Sequence, residues 1–292
     1  MSIRGCFIKY KQPIGSNHTA VSLNQNRSDK SNPICEAGLE SLVGDTFVQS
    51  VVHYQQTDST NTRAIELLAA EDAVSSPCLV YSESQTAGRG RGGNQWWSAS
   101  GSLTFSLIID SNQTALSAEQ IPLLPLLTGM AILRTGQSLL PDGAFQLKWP
   151  NDVFLADRKL AGVLIEVPSQ SSGHAVIGVG LNVNNSFANA PEQLAETGTS
   201  LADQSPTDYR RIEVLRTFMQ EFELLLESFA AGSGLIDQWP DYCLLTGKQV
   251  TLRTGSTTVT GRCQGIDSSG ALLMQTETGV QRFCGGVVES WV

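Results

Sequence analysis

Gly88-Arg89-Gly90-Arg91-Gly92-Gly93 is followed by Asn94-Gln95-Trp96-Trp97-Ser98-Ala99-Ser100-Gly101-Ser102, and the second half of that run decides the fold. The six leading residues spell the G-x-G-x-x-G of a dinucleotide-binding turn, and a strand-like stretch, "PCLVYSES", precedes them. Asp110 even falls about 20 residues on, where a ribose-binding acid belongs. Such a turn needs a helix to open at its third glycine. Here the next strand-like run, "GSLTFSLIID", begins at about Leu103, and the intervening tryptophans, serines and glycine are too few to hold a crossover helix. The βαβ unit cannot be built. A Walker A loop is excluded too, because no G-x-x-x-x-G-K-S/T occurs. Arg89 and Arg91 point elsewhere: two guanidiniums on a glycine loop suit a ligand that carries a carboxylate and phosphates, each able to bind oxygens in bidentate fashion. A solvated glycine turn with incidental arginines is the plainer alternative.

Upstream, "TFVQSVVHYQQ" reads as a strand leading into Asp58-Ser59-Thr60-Asn61, a run of capping residues that starts the first helix, "TRAIELLAAED". Downstream, Ser117 to Leu140 opens with a Ser-x-x-Gln capping pattern and continues as an apolar core helix disturbed by Pro122 and Pro125. "FQLKWPNDVFLADRKLAGVLIEV" holds two strand-like runs around the Ala156-Asp157-Arg158 turn, and "HAVIGVGLNVNN" adds a buried strand. A hairpin there brings Lys148, Asp152 and Lys159 together, although exposed charges on any hairpin look similar. Residues 208–230 have the clearest helical periodicity, with Ile212, Leu215, Phe218, Phe222 and Leu225 on one stripe. After "LIDQWPDYC", short strands separated by Gly, Ser and Thr predict a small β-barrel of about 50 residues. These readings predict an α/β (α+β) protein. A poorly ordered extension without periodicity spans residues 1–44, a mostly antiparallel sheet with helices spans 45–244, and the small barrel spans 245–292.

The chain of 292 residues carries 19 Lys+Arg against 28 Asp+Glu, a formal charge of −9, so its field repels nucleic acid and no DNA binding is expected. No apolar run reaches the roughly 18 residues of a membrane span, which predicts a soluble protein without a membrane partner. The six cysteines show neither C-x-x-C nor regular spacing, so neither a zinc site nor a disulfide framework is signalled and a reduced, cytoplasmic setting is expected. The basic, Ser- and Asn-rich residues 1–33 faintly resemble a transit peptide, with a disordered polar leader as the plainer reading. His18, His53 and His174 stand alone, without partners at ligand or triad spacing.

In this order and spacing, "TDSTNTRA", "GRGRGGNQWWS", "KWPNDVFLADRKLAGVLIEV" and "IGVGLNVN" resemble the biotin protein ligases, over about residues 50–290. The resemblance implies a class II synthetase-like α/β catalytic domain with a mixed, mainly antiparallel sheet flanked by helices, followed by an SH3-like domain. It also implies a two-step reaction. Biotin and MgATP give biotinyl-5'-AMP and pyrophosphate, and a lysine of a biotin carboxyl carrier protein, from acetyl-CoA carboxylase or a related carboxylase, then takes the biotin. ATP, Mg2+ and biotin are therefore the expected small molecules, with the magnesium arriving on ATP and no protein metal site. A homodimer is one of the assemblies left open. Because residues 1–44 show no helix-turn-helix, the monofunctional type is expected.

Carried over residue by residue, Ser59, Thr60 and Asn61 match the biotin-side motif, and Gln85, Gly88, Arg89 and Arg91 match the biotin and adenylate loop. The resemblance makes Arg91, Lys148, Asp152 and Lys159 the catalytic set: Arg91 on carboxylate or phosphate, Lys159 opposite it as main cation on the biotin side, and Lys148 assisting on the phosphates. Trp96 matches the position packed against adenine and Asn182 the adenine and ATP side, while Asp152 either serves magnesium indirectly or orients the acceptor lysine. Leu160, Gly162 and the "VIGVG" strand are wall positions or core, and Gly90, Gly92 and Gly93 supply loop mobility. Gly92, Ser98-Ala99 and Gly101-Ser102-Leu103 depart from common family residues, which bears on loop stability and adenylate retention. A lipoate- or octanoate-type ligase and a biotin-binding regulator without transfer activity are the alternatives; Arg91, Lys148, Asp152 and Lys159 weigh against the second.

Overall fold

The loop that follows Gly88 joins two antiparallel neighbours. The computed structural model describes residues 8–10, 33–70, 74–171, 173–232 and 235–292. In chain order the large layer contains β1 (Ile8–Tyr10), α1 (Glu36–Asp45), β2 (Ser50–Thr57), α2 (Thr60–Ala69), β3 (Cys78–Gln85), β4 (Leu103–Asp110) and α3 (Leu124–Leu139). It continues with β5 (Phe145–Lys148), β6 (Asp152–Leu155), β7 (Arg158–Glu166), β8 (His174–Leu181), α4 (Glu192–Thr197), α5 (Arg211–Ala230) and α6 (Leu235–Gln238). The eight strands form one sheet in the order β1-β2-β3-β4-β8-β7-β6-β5. β1, β2 and β3 run parallel, and every later pair is antiparallel, so the sheet is mixed and mainly antiparallel.

Strand alternation sorts side chains to two unequal faces. Val51, Leu79, Tyr81, Phe105, Leu107, Ile109, Ile177 and Val179 enter the main core under α1, α3 and α5. On the opposite face, Val52, Cys78, Val80, Ile108 and Val176 form a small cluster with Ala64 of α2. α2 covers only part of that face. On the same face β3 and β4 carry the buried polar residues Ser82, Thr104 and Ser106, and β8 carries Gly178 and Gly180, which leave room above the sheet. The site described below lies there.

A second sheet of β9 (Gln249–Thr254), β10 (Thr257–Ile266), β11 (Leu272–Thr276), β12 (Gly279–Phe283) and β13 (Val287–Trp291) is antiparallel throughout, in the order β12-β11-β10-β9-β13. It docks on the first through Trp149, whose Nε1–H donates to the Gly270 carbonyl at 2.9 Å. Gly270 has a φ of 74°, which favours glycine, and a Cβ there would press on the side-chain ends of Leu123 and Leu126 at 2.4 and 2.7 Å, so glycine lets this turn seat against the start of α3.

Three sequence expectations need correction. The extension expected over 1–44 contains α1, whose Leu39 and Leu42 are buried against the core. "EAGLESLVGD" offers one short apolar pair between glycines; α1 is held by that burial rather than by a periodicity long enough to read. The preceding Ile34 amide donates to Glu83, which also receives the buried Arg211 at 2.6 Å. β1 also falls within 1–44, whereas residues 1–7 and 11–32, with the transit-peptide likeness and His18, lie outside the described residues. α3 begins at Leu124 after a 3-10 turn, not at Ser117; the Gln120 side chain still accepts from the Ser117 amide at 2.9 Å. Finally, the capping cluster opens the second helix, and Ser59 makes no side-chain capping bond. Among the described residues no helix is long and apolar enough to cross a membrane.

Candidate active site

The open part of the sheet face becomes a cleft of about 260 Å³. Its floor is β8 and β7, its sides are the start of α2, the 88–96 loop and the β5–β6 turn, and Gly286, Val287 and Val288 of the second sheet close one end. The floor is flat because of where glycine falls. A Cβ on Gly178 would sit 2.2 Å from Asn61 Oδ1, and one on Gly180 would sit 2.3 Å from the Trp96 ring. These two residues, two apart on one strand, make room for both side chains.

At the α2 end, hydrogen bonds are dense. Gln85 Oε1 accepts from the Thr60 amide at 2.7 Å and from its hydroxyl at 3.2 Å. The Ser106 hydroxyl donates to Asn61 Oδ1 at 2.6 Å and lies 2.8 Å from Thr60 Oγ1. Asn61 Nδ2 donates to the Leu164 carbonyl and to Glu166 Oε2, at 3.2 and 2.9 Å. Capping residues thus serve the cleft instead of the helix end.

The 88–96 loop is a pinned hairpin. Trp96 and Gly90 amides donate across it to Gly88 and Asn94 carbonyls at 2.9 and 2.7 Å, and Arg89 bridges Gln95. Gly92 and Gly93 turn its tip with φ of 67° and 82°, so these glycines are needed for the turn itself as well as for any motion. Arg89 pairs with Glu166 through both ends of its guanidinium, at 3.0 and 2.7 Å. Arg91 has no ion pair among the described residues. Burial pulls it below the ordinary arginine range, with Asp152 opposing that shift.

Facing the loop, β5, β6 and β7 bring three charges together. Lys148 stands opposite Asp152 in the β5–β6 ladder, and Lys159 Nζ lies 2.7 Å from Asp152 Oδ1. The hairpin register alone puts Lys159 on this face, opposite Phe154 and diagonal to Asp152, and a β-bulge that leaves Leu160 as the extra residue then brings Gly162 opposite Asp152 on the same face. Burial lowers the Lys148 ammonium below the usual lysine range; Asp152 counters this and Lys159 adds to it.

Of the residues expected from sequence, Ser59, Thr60, Asn61, Gln85, Arg89, Arg91, Trp96, Lys148, Asp152 and Lys159 all line this cleft. Gly88 and Asn182 do not. Gly88 lies behind the wall, where a Cβ would meet the Trp96 carbonyl at 2.6 Å, and Asn182 is buried with its Oδ1 taken by Asn185 at 3.0 Å. Of the proposed walls, Gly162 and the β8 glycines line the cleft, whereas Leu160 is core. Sequence reasoning missed Ser106, Glu166 and the second-sheet residues. Ser106 had a signal: in "LTFSLIID" hydroxyls at Thr104 and Ser106 alternate with Leu103, Phe105 and Leu107. Asp152 is the only carboxylate among the lining residues, and no cluster of three metal-ligating side chains occurs among the described residues. A cleft of this kind can hold an uncharged polar group at one end and several anionic oxygens at the other.

The model of the biotin/lipoate A/B protein ligase family matches residues 52–182, and that of the biotin protein ligase C-terminal domain matches 245–291. The biotin-(acetyl-CoA-carboxylase) ligase of Paracoccus denitrificans is 31% identical over 239 residues, 77% of this chain and 94% of that protein. Its namesake in Mycobacterium tuberculosis is 31% identical over 223 residues, 75% of this chain and 80% of that one. A solved biotin protein ligase from Aquifex aeolicus, in complex with biotin and ATP, matches with a TM-score of 0.69 at 29% identity, over 83% of this chain and 98% of that one. The chain belongs to the biotin/lipoate A/B protein ligase family, and within it to the biotin protein ligases.

Proposed function

We propose that this protein activates biotin with MgATP and transfers it to a lysine of a biotin carboxyl carrier protein. The observation that carries the proposal is a single cleft with a neutral, hydrogen-bonding pocket at one end and Arg91, Lys148 and Lys159 at the other. In the first step a biotin carboxylate oxygen attacks the α-phosphorus of ATP, forming the acyl-phosphate bond while the α–β bridging bond breaks and pyrophosphate leaves. Two anions must meet, so fixed cations supply much of the rate. Ser59, Thr60, Asn61 and Gln85 hold the ureido end, Arg91 and Lys159 take the carboxylate and α-phosphate, and Lys148 takes the leaving phosphates. Trp96 supports adenine. Arg89 joins the anion set by leaving Glu166, or remains a strut.

Magnesium comes with ATP, because the lining offers one carboxylate and that one is engaged by Lys159. In the second step the acceptor amine attacks the biotinyl carbonyl, AMP leaves and the amine's proton passes to solvent, while Asp152, held by Lys159, orients the acceptor lysine or serves the magnesium that ATP brings. The closed loop keeps water from the mixed anhydride. A cytoplasmic setting and a carrier from acetyl-CoA carboxylase or a related carboxylase fit this reading, as does activity in either a monomer or a homodimer.

The test is incubation with MgATP and an apo carrier domain, with biotin in one arm and lipoate in the other. Biotin-dependent pyrophosphate release followed by carrier biotinylation is expected. Release with lipoate alone would move the protein to the lipoate branch, and binding without release would make it a biotin-binding regulator.

A further inference from the structure

We propose that Trp291, near the end of the chain in β13, is a positioning residue that holds the Lys148 ammonium at the phosphate end of the cleft. This rests on the reading that Lys148 meets ATP phosphates. Lys148 Nζ lies 4.1 Å from the Trp291 ring centroid and 5.8 Å from that of Phe154, and the two rings stand at 86° to each other. The ammonium is thus cradled by aromatic groups. Among the described residues it has no ion pair, and Asp152, the carboxylate facing it from β6, is engaged by Lys159 of β7.

The choice of partner matters physically. A carboxylate would hold the lysine but cancel its charge, as Glu166 does for Arg89. A ring quadrupole attracts the ammonium without neutralising it, so the full charge remains for an incoming polyanion. The geometry also depends on an irregularity in β13. Val288 pairs with Leu252 and Trp291 with Val250, so Glu289 is an extra, unpaired residue. In a regular strand Trp291 would face away from Val288; the bulge turns it to the face of Val288, which lines the cleft. The second sheet therefore supplies a part of the site that the first sheet cannot.

The experiment compares Trp291→Leu and Trp291→Phe in the full chain, after thermal unfolding has established that each folds. Two readouts are used: initial rates of biotin-dependent pyrophosphate release against MgATP, biotin and pH, and competitive acetylation of Lys148 in the free protein to titrate its amine. Trp291→Leu is expected to lower kcat/KM for MgATP roughly tenfold, within the range of a partly desolvated cation–π contact, and to leave KM for biotin within about twofold. The same variant lowers the pH at which Lys148 titrates and moves the basic limb of the rate profile down with it. Trp291→Phe keeps both close to wild type and stands as the test if the leucine variant does not fold. Wild-type behaviour in Trp291→Leu overturns the proposal. So does equal loss in both variants with an unmoved Lys148 titration, because Trp291 would then only fill space. If the wild type releases no pyrophosphate with biotin, the functional reading falls and takes the catalytic role with it, while the Lys148 titration still decides whether the ring holds the ammonium.

Discussion

At the α2 end of the cleft Ser59, Thr60 and Asn61 are 3, 4 and 3% exposed, and Thr60 and Asn61 are tied to Gln85, Ser106 and Glu166. At the cation end the Lys159 side chain is 38% exposed in its pair with Asp152, while Arg91 and Lys148 lack ion pairs among the described residues. The first end is assembled before any ligand arrives, its groups already fixed by protein partners, and on the proposed function it selects by shape and hydrogen-bond pattern, since an analogue without the matching groups forfeits the bonds that this fixed array offers. The second keeps charge in reserve. It is stabilised less in the free protein and responds more to a polyanion. On the proposed function the first end therefore couples binding to stability, and the second couples binding to rate.

Substitutions at each end break or sharpen that contrast. Lys159→Ala should slow adenylate formation by roughly 10² to 10³, the loss expected for one preorganised electrostatic group, while stability changes by less than about 1 kcal/mol because the pair is solvated. Single-turnover rates and thermal melts check both halves, and a large loss of stability would contradict the division. Gly178→Ala attacks the other end by pushing on Asn61. A rise in KM for biotin of roughly tenfold or more is expected, with KM for MgATP nearly unchanged and a stability cost of about 1–3 kcal/mol. A shift in the MgATP constant instead would show that the ends are not separable.

Arg91→Ala should keep the fold and still form adenylate, but let it escape into solution several-fold faster. Trapping released biotinyl-5'-AMP measures this, and an unchanged release rate removes Arg91 from the retaining role. The smallest effect lies outside the cleft, at the turn that seats Gly270. Partial burial pushes the Asp267 carboxyl up, but bonds from Ser269, Arg282 and the Ala271 amide outweigh that and hold it at about 2. A depressed carboxyl stabilises the fold above its unfolded pKa and loses that contribution as pH falls, here between about 4 and 2. Asp267→Asn should therefore cost about 1 kcal/mol near neutrality, after allowance for solvent screening, and little at pH 2. Melts of both proteins across that range test it.

Much of the cleft was legible because charged and capping residues cluster in short runs whose order is distinctive. Lys148, Asp152 and Lys159 meet as a simple hairpin predicts. Asn182 lies outside the cleft lining, and in sequence an asparagine after a strand looks the same whether its amide faces a ligand or, as here, accepts from Asn185. α1 was missed because Leu39 and Leu42 are too few to make a period, and their burial is decided by α5, far along the chain. Glu166 was missed because a carboxylate at a strand end carries no sign of the Arg89 that it meets across 77 positions of sequence.

The amino-acid sequence by itself determined that the glycine run joins two strands without a crossover helix, that the sheet is mostly antiparallel, and that hydroxyl, amide and cationic groups are available for one site. Those follow from local sterics, periodicity and composition. Only the tertiary structure decided which side chains face the cleft. Strict alternation would turn Lys159 away from Gly162 and Trp291 away from Val288, and one unpaired residue in each strand, Leu160 and Glu289, reverses both. A bulge is set by how a strand fits its neighbour, and that neighbour lies outside any local stretch of sequence.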